Sequence, residues 1–128
     1  MKQFLATFTA LICFATIAFT QTTQAPTIEF KNVEHNFNKV EYKGNATCTF
    51  EFKNTGKVPL ILTSVSASCG CTTPEWPKEP IMPGKTGVIK VTYDSQRVGP
   101  INKLVYVYSN ATQNLVTLKI TGEILSPK

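Results

Sequence analysis

Residues 46–56 read ATCTFEFKNTG, and this stretch decides the fold class. Cys48, Phe50 and Phe52 fall at every second position, with polar residues between them. Because the side chains of a strand point alternately to its two faces, this pattern predicts a β-strand with one buried face. Asn54 and the Thr-Gly that follows it predict a tight turn, so the chain is expected to fold back on itself as a sheet.

Further segments carry the same kind of signal, and none shows a helical period of useful length. Together with 46–52, the predicted strands are residues 27–31, 33–40, 58–66, 87–93, 101–109 and 115–125. Short strands separated by turn residues at this spacing are typical of an all-β, immunoglobulin-like sandwich, here of about seven strands with Greek-key connections. Residues 33–40 are irregular and suit a sheet edge, whereas 58–66 are apolar on both faces and predict a central strand.

The first 25 residues predict a signal peptide followed by a short polar stretch. Lys2 gives a positive start, and the uncharged apolar run after it is shorter than the ~20 residues that a membrane span needs. Ile12 precedes Cys13, where lipid-attaching signals need a small residue, so we do not expect a lipoprotein. We expect one domain over residues 26–128, periplasmic or secreted, with no transmembrane segment in the mature chain.

Charge and motif content argue against nucleic-acid binding and against catalysis. The chain has 13 Lys and Arg against 8 Asp and Glu, a formal net charge of +5. Its lysines are scattered, whereas a nucleic-acid interface needs a clustered basic face. His35 is the only histidine and Asp94 the only aspartate, and no nucleotide-binding glycine loop, zinc-protease motif or nucleophile elbow occurs. We therefore expect a protein that is not an enzyme and that uses no cofactor.

Cys69-Gly70-Cys71 is the chemically unusual motif. In an extended chain the two cysteines point to one side, ~6.6 Å apart, and the glycine permits the tighter bend that a disulfide needs. Three interpretations of the pair are open. It has a structural role at the start of the loop, it forms a strained and easily reduced disulfide, or its two thiolates bind Cu(I). Cys48 is either a small buried hydrophobe or the partner of one of them. A zinc site that adds His35 to the three cysteines has no support in the spacing.

A proline repeat follows the cysteines, with prolines at positions 74, 77, 80 and 83. Polyproline II has three residues per turn, and at ~3.1 Å per residue this segment reaches ~28 Å. We expect it to cross from one sheet of the sandwich to the other. Trp76 or Ile81 then packs as a plug over the core, or Trp76 is exposed as a contact for a partner.

Tyr106 and Tyr108 lie on one face of the predicted strand 101–109, and Val105 and Val107 lie on the other. One of these faces must meet the core of the sandwich. The tyrosines then either rest half-buried with their hydroxyls in water or form a binding stripe for a partner.

The segments FEFKNTGKVPLILTSVSASCGCTTPEWP and PIMPGKTGVIKVTYD, and the strand that ends VYSN, resemble a bacterial family of extracytoplasmic domains of unknown function, family 1573. The resemblance spans nearly all of residues 27–122, and SCGCTTPEWP is a specific part of it. The FKNTGKVPL stretch is also similar to Ig-like modules of cilia and of the major sperm protein group. The resemblance implies an Ig-like sandwich in a bacterial envelope and brings no established activity.

From these features we expect a non-catalytic binding or scaffolding module of the bacterial cell envelope, with another envelope protein as its partner. The alternative is a thiol redox or copper-handling protein that uses Cys69 and Cys71. The residues expected to contact a partner are Trp76, Ile81, Tyr106 and Tyr108. The sequence names neither the partner nor the oligomeric state.

Overall fold

The structure, a computed structural model, describes residues 15–19 and 24–128. In this part of the chain eight strands and no helix are found, namely β1 (Ile28–Phe30), β2 (Glu34–Val40), β3 (Thr47–Asn54), β4 (Leu62–Ala67), β5 (Thr72–Glu75), β6 (Thr86–Tyr93), β7 (Gly99–Ser109) and β8 (Leu115–Ile124). They form two four-stranded sheets, ordered β1-β3-β6-β5 (sheet A) and β2-β8-β7-β4 (sheet B). The predicted all-β, immunoglobulin-like sandwich is confirmed.

The predicted signal peptide falls largely on residues 1–14 and 20–23, which lie outside the described residues, and it stays a prediction. Residues 15–19 are exposed and belong to no strand. No helix long and apolar enough for a membrane crossing occurs in the described residues.

The core lies between the two sheets and is built by alternation. On β3, the side chains of Cys48, Phe50 and Phe52 are buried, as the sequence pattern predicts, and the residues between them are not. On β7, Val105 and Val107 are buried, whereas Tyr106 and Tyr108 on the other face are not. Apolar side chains at every second position of both inner faces therefore meet across the sandwich, and burial of their apolar surface supplies the main stabilising term.

The expectation that residues 58–66 form a central strand is wrong. The strand proper, β4, begins only at Leu62 and lies at an edge of sheet B, where it pairs with β7 alone. The apolar residues that suggested a central strand precede it. Leu60 is fully buried and pairs with Ile81 through two backbone hydrogen bonds of 2.9 and 2.8 Å. Burial in this stretch is thus confined to Leu60, since its neighbours Pro59 and Ile61 are exposed. The strand after it exposes Thr63, Ser64 and Ser66.

The proline repeat does not carry the chain between the sheets, contrary to expectation. The chain leaves sheet B at the end of β4 and enters sheet A at the start of β5, so the crossing is made by residues 68–71. Two packed sheets are only about 10 Å apart, a distance that four residues span easily. Pro74 lies within β5, and the other prolines of the repeat belong to the return from β5 to its neighbour β6.

Gly87 provides the space that the Phe52 ring occupies. The two residues are directly opposite in the β3–β6 pair, and a Cβ atom at position 87 would lie 2.5 Å from Cζ of Phe52. The ring cannot move aside cheaply, because Phe52 is 1% exposed and its ring packs 5.6 Å from that of Phe30, centroid to centroid.

We predict that Gly87→Ala lowers the free energy of unfolding by about 1–3 kcal/mol, the usual cost of overpacking a well-filled core. Denaturant unfolding measures this change. Gly70→Ala is the matched control, because no heavy atom beyond its two chain neighbours lies within 4 Å of a Cβ built there and its φ is not positive. It should change stability little. Equal effects of the two substitutions would contradict the steric explanation.

Asn54 closes the end of the sandwich at which β6 begins. Its amide is fully buried, with Nδ2 donating to the carbonyls of Val58 (2.8 Å) and Ile81 (2.9 Å) and Oδ1 accepting from the backbone N–H of Gly56 (3.0 Å). The predicted Asn-Thr-Gly turn is therefore held by a side chain that also ties it to the proline segment.

We predict that Asn54→Ala costs about 2 kcal/mol of stability, because the Val58 carbonyl and the Gly56 N–H lose their hydrogen-bond partner. The Ile81 carbonyl keeps its bond from the Leu60 N–H.

Asn110→Ala is the matched comparison. Asn110 makes the same kinds of bond to the same turn, accepting from Ile61 N–H (2.8 Å) and donating to the Pro59 carbonyl (3.2 Å), but it is exposed. Water replaces its bonds, so its loss should cost under about 1 kcal/mol in chemical denaturation.

Candidate functional site

The crossover between the sheets, residues 68–71, holds the Cys-Gly-Cys motif. Its start is fixed by Ser68, whose N–H donates to the Leu104 carbonyl (2.9 Å) and whose hydroxyl accepts from Leu104 N–H (3.2 Å). Its end is fixed because the Asp94 N–H donates to the Cys71 carbonyl (2.8 Å) and Thr72 pairs with Tyr93. Backbone hydrogen bonds therefore hold both ends of the crossover to the strands beside it.

Cys69 and Cys71 are joined by a disulfide, with their Cα atoms 5.3 Å apart. The two residues differ in exposure to solvent, although both contact the core. Cys71 is 3% exposed and belongs to the core, whereas Cys69 is only half-buried and Gly70 between them is exposed. A thiol from solution therefore meets the Cys69 side of the bond first.

Two hydrogen-bond donors converge on the sulfurs. The backbone N–H of Cys71 donates to Sγ of Cys69 at 3.3 Å. The Thr72 hydroxyl lies 3.9 Å from Sγ of Cys69 and 3.7 Å from Sγ of Cys71. Thr72 is 4% exposed, so water has little access to its hydroxyl. Thr72 was not among the residues predicted for the site, although its place directly after Cys71 could have suggested it.

Cys48 lies outside the disulfide. It sits on β3, an inner strand of sheet A, is 6% exposed and has a free thiol. Burial raises the pKa of the Cys48 thiol from 9.0 to about 11, because the thiolate loses its hydration in the apolar core. The thiol is therefore neutral and behaves as a small hydrophobe at physiological pH.

The structure does not bring His35 together with Asp94 or with the cysteines. His35 is on β2, at the edge of sheet B opposite to β4, and its ring meets that of Phe37 at 4.7 Å. Asp94 accepts from Gln96 N–H through Oδ1 (3.0 Å) in the turn after β6. Among the described residues no group of three or more His, Cys, Asp or Glu side chains is placed to hold a metal ion.

The residues predicted to contact a partner fall in two places. Trp76 and Ile81 are half-buried and pack against the core, and the Lys78 ammonium lies over the indole ring. Tyr106 and Tyr108 lie on the outer face of sheet B, where Tyr106 is half-buried and Tyr108 is 42% exposed. The structure does not bring the two pairs together on one strand or sheet.

Comparison with known protein families shows to which family the chain belongs. The model of a family described as "Protein of unknown function (DUF1573)" matches residues 28–124, which include all eight strands. The chain belongs to the DUF1573 family. No protein of curated function is significantly similar to it, and the description of the family names no activity.

Solved structures similar to this DUF1573 chain share its fold. A protein of unknown function from Porphyromonas gingivalis W83 is 19% identical with a TM-score of 0.72, and 84% of this chain matches 51% of that one. The chain thus spans about half the length of that protein. The ASH/PapD-like domain 7 of human CEP192 is 9% identical, with a TM-score of 0.68 over 81% of this chain and 89% of that one.

A chaperone–tip adhesion subunit pre-assembly complex, CsuC-CsuE of Acinetobacter baumannii, is also similar. The identity is 12% and the TM-score 0.52, over 76% of this chain and 56% of the matched one. At these identities the similarities show an Ig-like, PapD-like fold.

We predict that Cys48 makes stability fall at alkaline pH. Its pKa is higher in the folded state than in the unfolded state, so its contribution is complete below pH 9 and is lost as the pH rises toward 11. Between pH 9 and pH 11 the free energy of unfolding should fall by about 2 kcal/mol from this group.

The measurement is chemical denaturation at several pH values for the DUF1573 chain and for Cys48→Ala. Lysine and tyrosine titrate in the same range in both proteins, so the difference between the two slopes isolates Cys48. Parallel slopes would show that the Cys48 thiol ionises as readily in the folded as in the unfolded protein.

Proposed function

We propose that this protein is a non-catalytic binding module of the bacterial cell envelope, and that it takes an extended segment of another envelope protein at the β4 edge of sheet B. The observation that carries the proposal is that β4 lacks the charge, the proline and the short length that protect the other edges. An unprotected edge strand offers unpaired N–H and C=O groups to an added strand.

Three of the four edge strands are protected against the addition of another strand. β1 has three residues and carries Glu29, and β5 has four and contains Pro74. β2 carries Glu34 and Lys39, and its pairing shifts register between Asn36 and Lys39. Short length, charge, proline and irregular pairing are the usual means by which proteins prevent strand addition.

β4 has fewer of these protections. Its pairing with β7 also shifts register, between Leu62 and Ser64, but the strand has six residues and is longer than β1 and β5. Its sequence, LTSVSA, has no charge and no proline, and no charged residue occurs anywhere from 58 to 74. The rest of the chain is basic, with a net charge of +5. An uncharged edge in a charged protein favours an uncharged, β-forming segment, because such a strand loses no hydration of ionic groups when it pairs.

The outer face beside β4 offers further contact area. Ser64 and Ser66 stand directly opposite Tyr108 and Tyr106 in the β4–β7 pair. Because the serines are small, large side chains of an added strand can reach across them to the tyrosine rings. Leu115, which is 39% exposed and opposite Tyr108, extends the same apolar face.

The envelope location is part of the proposal. It is supported by the predicted signal peptide and by the disulfide, which is typical of oxidising compartments. The fold similarity to a chain of a chaperone–tip adhesion subunit pre-assembly complex supports protein binding as a use of this architecture.

We predict that a photo-crosslinking amino acid at position 63, exposed on β4, yields discrete adducts in living cells of the source bacterium. In Ser64→Lys/Ser66→Lys these adducts should weaken by roughly fivefold or more, because lysines on an edge disfavour strand addition. The matched variant Ser64→Thr/Ser66→Thr stays uncharged and favours a strand, so its adducts should persist. Mass spectrometry of the adducts provides the measurement.

A crosslinker at position 90, on the outer face of sheet A, is the positional control. Adducts of equal yield from positions 63 and 90, or adducts that survive the lysine substitutions unchanged, would refute binding at the β4 edge.

The second candidate function is thiol redox chemistry or copper handling at Cys69 and Cys71. The observation that favours it is the short span of the disulfide, since the cysteines are two positions apart. A cross-link stabilises a fold mainly by constraining the unfolded chain, and so small a loop contributes only about 1.5 kcal/mol. Backbone hydrogen bonds already hold both ends of the crossover. Copper handling requires the reduced pair, because Cu(I) binds thiolates.

A further inference from the structure

We propose that Cys69 is the sulfur at which a protein dithiol reduces the disulfide, and that Thr72 is a positioning residue that stabilises the Cys71 thiolate as it leaves. The proposal rests on the thiol function given above as the second candidate and is independent of binding at the β4 edge.

Access decides which sulfur is attacked. Thiol–disulfide exchange needs the attacking thiolate in line with the S–S bond, so the exposed sulfur of a pair reacts first. Cys71 is 3% exposed and packed in the core, whereas Cys69 is half-buried beside the exposed Gly70. The Cys69 sulfur is therefore the one that a folded partner reaches.

The reaction balances as two exchanges. A thiolate of the partner dithiol bonds to Sγ of Cys69, the Sγ–Sγ bond breaks, and its electron pair leaves on Sγ of Cys71. The second thiolate of the partner then attacks the partner's own sulfur in the mixed disulfide and releases the Cys69 thiolate. Two electrons and two protons pass to Cys69 and Cys71, and the partner dithiol becomes a disulfide.

The leaving Cys71 thiolate forms at a buried position, so it needs a hydrogen-bond donor within the protein. Thr72 Oγ1 lies 3.7 Å from that sulfur and is itself buried. Thr72 has no other side-chain hydrogen bond among the described residues apart from its contact with Cys69 Sγ. Its hydroxyl is thus free to turn toward Cys71 as charge develops there.

The fold permits the bond to open without unfolding. The Ser68–Leu104 bonds, the Asp94–Cys71 bond and the pairing of Thr72 with Tyr93 involve neither sulfur. The crossover therefore keeps both attachments when the disulfide is reduced. The disulfide can therefore be reduced and re-formed repeatedly while the surrounding structure stays folded.

The first test maps the attacked sulfur with glutathione as the probe. Folded protein is mixed with glutathione, quenched in acid at a series of short times, alkylated, and sequenced by tandem mass spectrometry. Gly70 separates the two cysteines, so fragment ions distinguish them. We expect glutathione on Cys69 and the alkyl group on Cys71. Cys48 is the internal control and should be alkylated only after unfolding.

The second test measures the rate of reduction by dithiothreitol in Thr72→Val and Thr72→Ser. Valine keeps the shape and the strand preference of threonine but has no hydroxyl, so reduction should slow by roughly fivefold. This factor corresponds to only part of the free energy of a hydrogen bond to a charged sulfur. Serine keeps the hydroxyl and should restore most of the rate. Denaturant unfolding of both variants separates this effect from a loss of stability, which would speed reduction.

The outcomes separate the two proposals. Rapid reduction with glutathione found on Cys71, or on both cysteines equally at the shortest times, overturns the assignment of Cys69 and leaves the thiol function standing. Reduction that occurs only when the protein unfolds overturns both. Equal rates for the valine and serine variants overturn the role of Thr72.

Discussion

The buried amide of Asn54 is the interaction on which the architecture depends. One side chain with no exposure satisfies a turn N–H and two carbonyls, and one of these carbonyls belongs to Ile81 in the distant proline segment. Each polar group of this closed end would cost about 1–3 kcal/mol if left buried and unpaired. The amide therefore sets how the turn after β3, the approach to β4 and the return to β6 meet, and the hydrophobic core forms within that frame.

The opposite end of β6 is held differently. There the chain passes between sheets through Cys69 and Cys71, and backbone bonds from Ser68 and Asp94 attach the crossover on both sides. The disulfide is thus added to a crossover that hydrogen bonds already hold. The disulfide can therefore open without the loss of any of these hydrogen bonds. Removal of the Asn54 amide, in contrast, leaves the Val58 carbonyl and the Gly56 N–H without their partner.

The two proposed activities share one side of the sandwich. The chain runs along β4, turns at the disulfide and continues as β5, so the open edge and the accessible Cys69 sulfur follow each other directly. Residues 58–74, which cover this whole region, carry no charge. A partner strand at β4 and a partner dithiol at Cys69 would therefore approach the same uncharged part of a basic protein.

The sequence by itself determined the fold class, since alternation at Cys48, Phe50 and Phe52 and the turn at Asn54 are local consequences of strand geometry. It also singled out the Cys-Gly-Cys motif. Only the tertiary structure decided that β4 is an edge, that the chain changes sheets at the cysteines, and that Thr72 faces both sulfurs. The physical reason is that strand order and the surroundings of a side chain depend on pairing between residues far apart in the chain, which a local pattern of apolar and polar residues does not encode.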